Sequence, residues 1–369
     1  MNNVLKIIIS GGGTGGHIFP AIAIANAIKS KHPDADILFV GAKGRMEMEK
    51  VPKAGYQIEG LWISGFQRKL TLQNLLFPIK LLSSMLKARQ IIRRFKPDVA
   101  VGVGGYASGP LLEMATRMGV PALIQEQNSY AGATNRLLSQ KVQKICVTYD
   151  GMERYFPKEK LVLTGNPVRK DLVNIQTTRE EALQYFALDL NKKTLIIFGG
   201  SLGARTLNQA MAASTDALRE RADIQVLWQC GSLYYEQFKD CETAKLPNVK
   251  IQAFIDRMDL AYKMADVAIA RAGALTVSEL CLVGLPTILV PSPNVAEDHQ
   301  TKNAMALVQK NAAILLKDSD AQAQMIAKAL ELLDNKDLKQ ELSTNIKELA
   351  KPNAAEEIAD EVLKLIPKA

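Results

Sequence analysis

Three glycine-rich turns constrain this chain more than any other feature. Each is set where an apolar, strand-like run passes into a helix-like one. The first is Ser10-Gly11-Gly12-Gly13-Thr14-Gly15-Gly16-His17, behind Leu5–Ile9. The second is Gly102-Val103-Gly104-Gly105-Tyr106-Ala107-Ser108-Gly109, behind Val99–Val101. The third is Gly199-Gly200-Ser201-Leu202-Gly203-Ala204-Arg205, behind Leu195–Phe198. Glycine lets backbone N–H groups approach an anion, and the helix behind adds its positive end. Two turns in the first half and one opening the second predict two nucleotide-binding-type domains facing a cleft.

Length agrees, because 369 residues exceed the size at which a single core usually divides. The fold class expected is α/β, with two Rossmann-like parallel-sheet domains. In the first half, strands are predicted at Leu5–Ile9, Ile37–Val40, Val99–Val101, Ala122–Gln125, Ile145–Val147 and Leu161–Leu163. Helices are predicted at Pro20–Lys29, at Leu72–Phe95 with a break near Pro78, and at Pro110–Met118. Gly165-Asn166-Pro167-Val168-Arg169 reads as a hinge, dividing a domain of residues 1–168 from one of residues 169–352. The second half repeats the scheme, with strands at Leu195–Phe198, Gln225–Trp228, Val249–Ile251, Val267–Ala270 and Thr287–Val290. A capping-box signal at Thr177–Glu181 opens it, and helices are predicted at Leu275–Leu282 and Lys302–Lys310. The tail, 353–369, shows helical spacing at Ala355, Ile358, Val362 and Leu365, with Asn353 as the expected N-cap.

Charge is lopsided. The chain carries +8 overall. Residues 1–168 hold 22 Lys+Arg against 11 Asp+Glu, while the remainder is mildly acidic. Between residues 60 and 97 there are eight basic side chains and no acid: Arg68, Lys69, Lys80, Lys87, Arg89, Arg93, Arg94 and Lys96. The same stretch has apolar residues at 72, 75, 76, 79, 82 and 86, a wider band than one core-facing stripe needs. An anionic membrane surface is the expected partner; a buried helix with a solvated basic rim is the plainer alternative. No apolar run reaches membrane-span length, and no signal-peptide pattern precedes the first strand. The expectation is therefore a cytoplasmic, peripheral protein. Four scattered cysteines without a C-x-x-C pair suggest reduced thiols. No His/Cys cluster suggests a metal, so no cofactor is expected.

The first turn matches the dinucleotide fingerprint G-x-G-x-x-G. The second strand, however, ends Phe39-Val40-Gly41-Ala42-Lys43 without the acid that would hold a ribose. NAD is disfavoured; NADP on Lys43 or Arg45 and a purely structural turn stay open beside another anion. His17 follows the turn as either a loop-bonding residue or a general base, which a helix N-terminus would keep neutral. The third turn offers Ser201 and Arg205 to a diphosphate but lacks the Walker lysine. Arg271-Ala272-Gly273-Ala274-Leu275-Thr276-Val277-Ser278-Glu279 opens another helix, where Glu279 is either exposed or a ribose ligand. A polar loop, Asn294–Gln300, closes at a strand's C-terminal end, where α/β folds place ligands.

Taken in order, SGGGTGGH, GVGGYASGP, Glu126-Gln127-Asn128, TGNPVR, GGSLGAR, FIDRM, RAGALTVSEL and GLPTILVPSP span nearly the whole chain. The chain thereby resembles the MurG family of bacterial peptidoglycan N-acetylglucosaminyltransferases. The resemblance implies the GT-B glycosyltransferase fold, with the C-terminal helix crossing back to the first domain. It implies UDP-GlcNAc in the second domain and a lipid-diphosphate-linked muramoyl-pentapeptide acceptor (lipid I) in the first, with no nucleic-acid partner. By the same resemblance Ser201 and Arg169 would serve the donor diphosphate, and Ile255 would read uracil through its backbone. Ala274, Leu275, Thr276, Val277, Ser278 and Glu279 would hold the nucleotide, with Glu279 on the ribose. Thr14, Gly15, Gly16, Asn128 and Gln300 would line the sugar. Gly13, Gly104, Gly105 and Tyr106 are expected at the acceptor diphosphate. His17 is the expected base, with Glu126 as its alternative. One departure is His299, where many relatives carry a second glutamine. A diacylglycerol glycolipid synthase and a nucleotide-sugar epimerase are the competing readings.

Overall fold

The computed structural model describes residues 4–65, 76–173 and 175–366. The chain forms two compact units. Unit 1 comprises 1–169 with 353–369, and unit 2 comprises 170–352. Arg68, Lys69 and the predicted start of the basic helix at Leu72 lie outside the described residues, as do the last three residues.

Unit 1 is a seven-stranded, all-parallel sheet in the order β3-β2-β1-β4-β5-β6-β7. Its strands are β1 (Lys6–Gly11), β2 (Asp36–Ala42), β3 (Gln57–Leu61), β4 (Val99–Gly104), β5 (Ala122–Glu126), β6 (Lys144–Val147) and β7 (Leu161–Leu163). The chain leaves β1 in one direction and returns at β4 on the other side. The topological switch point therefore lies between these two strands, and the first two glycine turns extend from their C-terminal ends.

Alternation along β1 decides the two cores. Ile7 and Ile9 face helix Gly15–Lys31 and the tail helix Ala354–Lys364, burying Ile18, Ile24, Ile28, Ile358 and Val362. Ile8 faces the other way, with Ile91, Leu111, Leu112 and Ile124. The tail thus completes the first core, and an ion pair between Lys31 and Asp360 ties it down. Asn353 stands at the N-cap position, but its side chain makes no capping bond. The first helix starts at Gly15, five residues before the expected Pro20. Pro20 is tolerated because it removes only the N–H that would reach the Gly16 carbonyl, one turn from the helix start.

Unit 2 has six parallel strands in the order β10-β9-β8-β11-β12-β13. They are β8 (Lys193–Phe198), β9 (Ile224–Gln229), β10 (Val249–Gln252), β11 (Val267–Ala270), β12 (Thr287–Leu289) and β13 (Ile314–Leu315). The switch point lies between β8 and β11. The third glycine turn follows the one, and Arg271-Ala272-Gly273 follows the other. Leu195, Ile197, Val226 and Trp228 bury one face of this sheet against Met325, Ala329 and Leu333 of helix Ala321–Asp334. The expected capping box is present, with Thr178 and Glu181 bonding each other's backbone N–H at the start of helix Arg179–Tyr185.

Candidate functional site

In unit 1 the first two turns are joined through their backbones. The Gly12 N–H donates to the Gly104 carbonyl at 3.3 Å. A β-carbon on Gly105 would collide with the Gly12 carbonyl, and one on Gly104 would strike the His17 ring. Gly13, Gly104 and Gly105 all have positive φ, at 84°, 102° and 90°. The Ser108 hydroxyl, donating to both the Gly104 and Ser10 carbonyls, ties the second turn to β1.

His17 occupies the first turn of helix Gly15–Lys31, where Thr14 is the N-cap. Its Nδ1 lies 3.0 Å from the Gly12 carbonyl and 3.3 Å from the Thr14 hydroxyl. A carbonyl only accepts, so Nδ1 carries the proton in this contact and Nε2 is the basic nitrogen of the neutral ring. Tyr106 is 47% exposed, and its ring lies against Gly65.

The first turn also holds a residue that the sequence reading missed. Glu47 is 1% exposed, and its Oε2 accepts from the Gly13 N–H at 2.9 Å. Its Oε1 accepts from the Ala42 N–H, also at 2.9 Å. Thus the Gly13 N–H, expected to face a phosphate, is engaged by the protein's own carboxylate.

Glu126 ends β5 and is 1% exposed. Oε1 accepts from the Asn128 backbone and side chain, at 3.1 and 3.3 Å. Oε2 accepts from the Gly132 N–H and the Asn135 amide, both at 2.9 Å. Four donors converging on one carboxylate make it the organiser of the loop carrying Asn128. That arrangement argues against the alternative role as base, which needs a lone pair directed at substrate. Arg169 is half-buried at the end of unit 1.

In unit 2 the third turn leaves Ser201 and Arg205 exposed at the head of helix Arg205–Ala212. Gly203, at φ 87°, sits against the Cys230 carbonyl, where no side chain fits. Gln229, at the end of β9, was not singled out in the sequence. It donates to the Gly200 carbonyl at 3.1 Å and accepts the Ile255 N–H at 2.8 Å. Ile255 is buried, and its backbone N–H is taken by the Gln229 side chain.

Gly273 is the N-cap of helix Ala274–Val283, which carries Ala274 to Glu279, and it has no capping side chain. First-turn N–H groups of such a helix favour an anion. Ser278 bonds back to the Ala274 carbonyl, and Tyr262 donates to Glu279. Arg271 is spent on structure: it binds Asp318 and the carbonyls of Val290 and Pro291. In the closing loop Gln300 accepts the Ser292 N–H at 2.8 Å, which directs its amide nitrogen elsewhere. Two consecutive non-glycine residues, Glu297 and Asp298, have φ of 56° and 50°. Such strain concentrates at ligand clamps. His299 begins the helix that follows.

With this geometry established, the chain can be placed among known proteins. Residues 7–147 match the glycosyltransferase family 28 N-terminal domain, and residues 194–361 match the family's C-terminal domain. A UDP-N-acetylglucosamine–N-acetylmuramyl-(pentapeptide) pyrophosphoryl-undecaprenol N-acetylglucosamine transferase of Flavobacterium psychrophilum is 56% identical, covering 98% of each chain. The protein of that name from Cytophaga hutchinsonii is 57% identical over 98% of this chain and 97% of its own. The chain belongs to the MurG family of glycosyltransferases.

The crystal structure of Acinetobacter baumannii MurG superposes with a TM-score of 0.78 at 29% identity, covering 98% of this chain and 99% of that one. A UDP-GlcNAc 2-epimerase of Neisseria meningitidis has the same fold, at a TM-score of 0.69 and 16% identity. The GT-B fold expected from the sequence is therefore the fold of a MurG-family chain. Among the described residues no three His, Cys, Asp or Glu side chains converge as a metal set. No described helix is long and apolar enough to cross a membrane.

Proposed function

We infer that this protein transfers N-acetylglucosamine from UDP-GlcNAc to the C4 hydroxyl of the muramoyl sugar of lipid I. The transfer inverts the anomeric centre and yields lipid II for peptidoglycan. The observation carrying this is identity of 56–57%, over 98% of the chain, to transferases named for that reaction. The epimerase alternative has only a shared fold behind it.

In the mechanism proposed, His17 Nε2 removes the proton of the acceptor C4 hydroxyl as that oxygen attacks the anomeric carbon. The bond from that carbon to the UDP oxygen breaks, and the leaving diphosphate takes up negative charge. The head of helix Ala274–Val283, Ser201 and Arg169 stabilise that charge. Glu279 binds the ribose, the Ile255 backbone meets the uracil, and Thr14, Gly15, Gly16, Asn128 and Gln300 line the sugar. Gly104, Gly105 and Tyr106 receive the acceptor diphosphate.

Unit 1 meets the membrane through helix Phe77–Phe95. Its inner face buries Ser84, Ala88, Ile91 and Ile92, while Ile79, Leu82 and Leu86 stand about 60% exposed beside Lys80, Arg89 and Arg93. An apolar row flanked by cations suits an anionic lipid surface on the cytoplasmic side. The deciding assay supplies radiolabelled UDP-GlcNAc with a lipid I analogue and follows label into the lipid product. Label released as free sugar or epimer, with none in lipid, overturns the assignment.

A further inference from the structure

We propose that Glu47 is a positioning residue for the transfer, acting on His17 through a single peptide group. This rests on the reading of His17 as the base. The Gly13 N–H and the Gly12 carbonyl belong to the same peptide unit. Glu47 Oε2 accepts from its N–H at 2.9 Å, and His17 Nδ1 lies 3.0 Å from its oxygen. Carboxylate, peptide and imidazole thus form one relay. A carboxylate on the N–H polarises the amide and makes its carbonyl a stronger acceptor. The stronger acceptor holds the proton on Nδ1 and keeps Nε2 as the base. In hydrolytic triads a carboxylate does this by direct contact with the imidazole; here a peptide stands between them.

The place for the carboxylate is built into the fold. A β-carbon on Gly12 would collide with Glu47 Oε1, and one on Gly41 would collide with its Cγ at 2.5 Å. Glycines of two separate strand ends therefore make the hole that the side chain fills. The second oxygen is held by the Ala42 N–H at 2.9 Å, which fixes the carboxylate from the side away from the turn. The carboxylate also occupies the position a phosphate would take on the Gly13 N–H. The first turn is therefore a relay for the base, and acceptor phosphate binding falls to the second turn.

The test is Glu47→Gln in the full-length enzyme, which keeps the shape and removes the charge. Two quantities are read: the His17 ring tautomer, from imidazole ¹⁵N shifts, and the steady-state constants. The expected result is a loss of the dominant Nδ1–H tautomer and a kcat lowered at least tenfold. The KM for UDP-GlcNAc should stay within about twofold. An unchanged tautomer overturns the relay. A changed tautomer with normal kcat in Glu47→Gln overturns the positioning role, and a normal kcat in His17→Ala as well overturns the general-base reading with it. If Glu47→Gln does not fold, Glu47→Asp withdraws the carboxylate by one methylene and is read the same way. A mixed tautomer and an intermediate kcat are expected there, and wild-type values of both overturn the proposal.

Discussion

The Tyr262 hydroxyl donates to Glu279 Oε2 at 2.9 Å, tying helix Met258–Met264 to helix Ala274–Val283 inside unit 2. Tyr262 is 3% exposed, so the bond orients the carboxylate from the protein's interior. Glu279→Ala is expected to weaken UDP-GlcNAc binding by about tenfold or more, the cost of one hydrogen bond to a charged group. Tyr262→Phe should cost less, about threefold, because the ribose contact survives with a looser side chain. Titration calorimetry on both variants checks this, and unchanged affinity in Glu279→Ala removes the ribose role.

Membrane attachment should need both parts of helix Phe77–Phe95. Replacing Ile79, Leu82 and Leu86 with serine removes the exposed apolar row. Replacing Lys80, Lys87 and Arg89 with glutamate reverses the charge. Glu59 already pairs with Lys87 and Arg94, so Lys80 and Arg89 should carry most of the electrostatic effect. Each triple variant is expected to leave anionic vesicles in a sedimentation assay while keeping activity on a soluble acceptor analogue. Vesicle binding that ignores added salt would rule out the electrostatic part.

The strands that lead into the glycine-bearing turns were legible because each is an apolar run with a glycine within three residues of its end. β1, β4, β8 and β11 were each expected within two or three residues of where they lie. β3 was not expected, because its sequence Gln-Ile-Glu-Gly-Leu is polar enough for a sheet edge and lacks a sustained apolar run. β13 has only two residues, too few to show a period. Glu47 and Gln229 escaped for a different reason. Two acids among the charges of Arg45–Lys53 look solvated, and the burial of Glu47 depends on space left by Gly41 at the end of β2 and by Gly12, 35 residues earlier at the end of β1. Likewise Gln229 matters because β9 ends beside the third turn and Ile255, a meeting that only the sheet order creates. The family motifs pointed to Glu126 as a site residue, but the direction of its four hydrogen bonds is a property of the folded loop.

Acid should loosen one surface clasp of unit 2 over a defined range. Arg221 bonds both Asp223 and Asp334, and Lys193 also bonds Asp334, pinning the end of helix Ala321–Asp334 to the strand entries. The Arg221 guanidinium holds the Asp223 carboxyl down at about 2, and Lys193 and then Arg221 lower Asp334 as well. A depressed carboxyl contributes its full stability above the unfolded value of 3.8 and loses it as pH falls through about 2. Both acids are more than half exposed, so screening keeps the contribution under about 1 kcal/mol. Asp223→Asn is expected to lower the Tm by about 2 °C at pH 6 and to match the wild type near pH 2. A Tm difference that persists unchanged at pH 2 would contradict the clasp.

The four thiols should separate by reactivity. Burial pushes Cys146 and Cys281 up to about 12 and Cys230 up to about 11, so each is overwhelmingly protonated at pH 8. Cys241 is half-buried rather than buried. Brief native alkylation at pH 8 is expected to modify Cys241 first, with the other three labelled only after unfolding. Peptide mass spectrometry reads the order directly, and early labelling of Cys146 or Cys281 would contradict it.

His17 and Glu126 make opposite claims on the role of base, and substitution separates them. The His17 ring is held by its Nδ1 edge on Gly12, which presents Nε2 as the basic nitrogen. The Glu126 oxygens are committed to Asn128, Gly132 and Asn135. His17→Ala should therefore lower kcat by about 10² or more while UDP-GlcNAc affinity stays nearly constant, the pattern of a group needed in the transition state. Glu126→Gln should act differently. It replaces one accepting oxygen with an NH₂ that opposes the loop's donors, so the loop carrying Asn128 loosens. The expected signature is a raised KM for UDP-GlcNAc with a smaller fall in kcat, and a lower Tm. If Glu126→Gln instead abolishes kcat at unchanged Tm and KM, while His17→Ala raises only the acceptor KM, the roles are reversed. His17 would then be a contact for the lipid diphosphate.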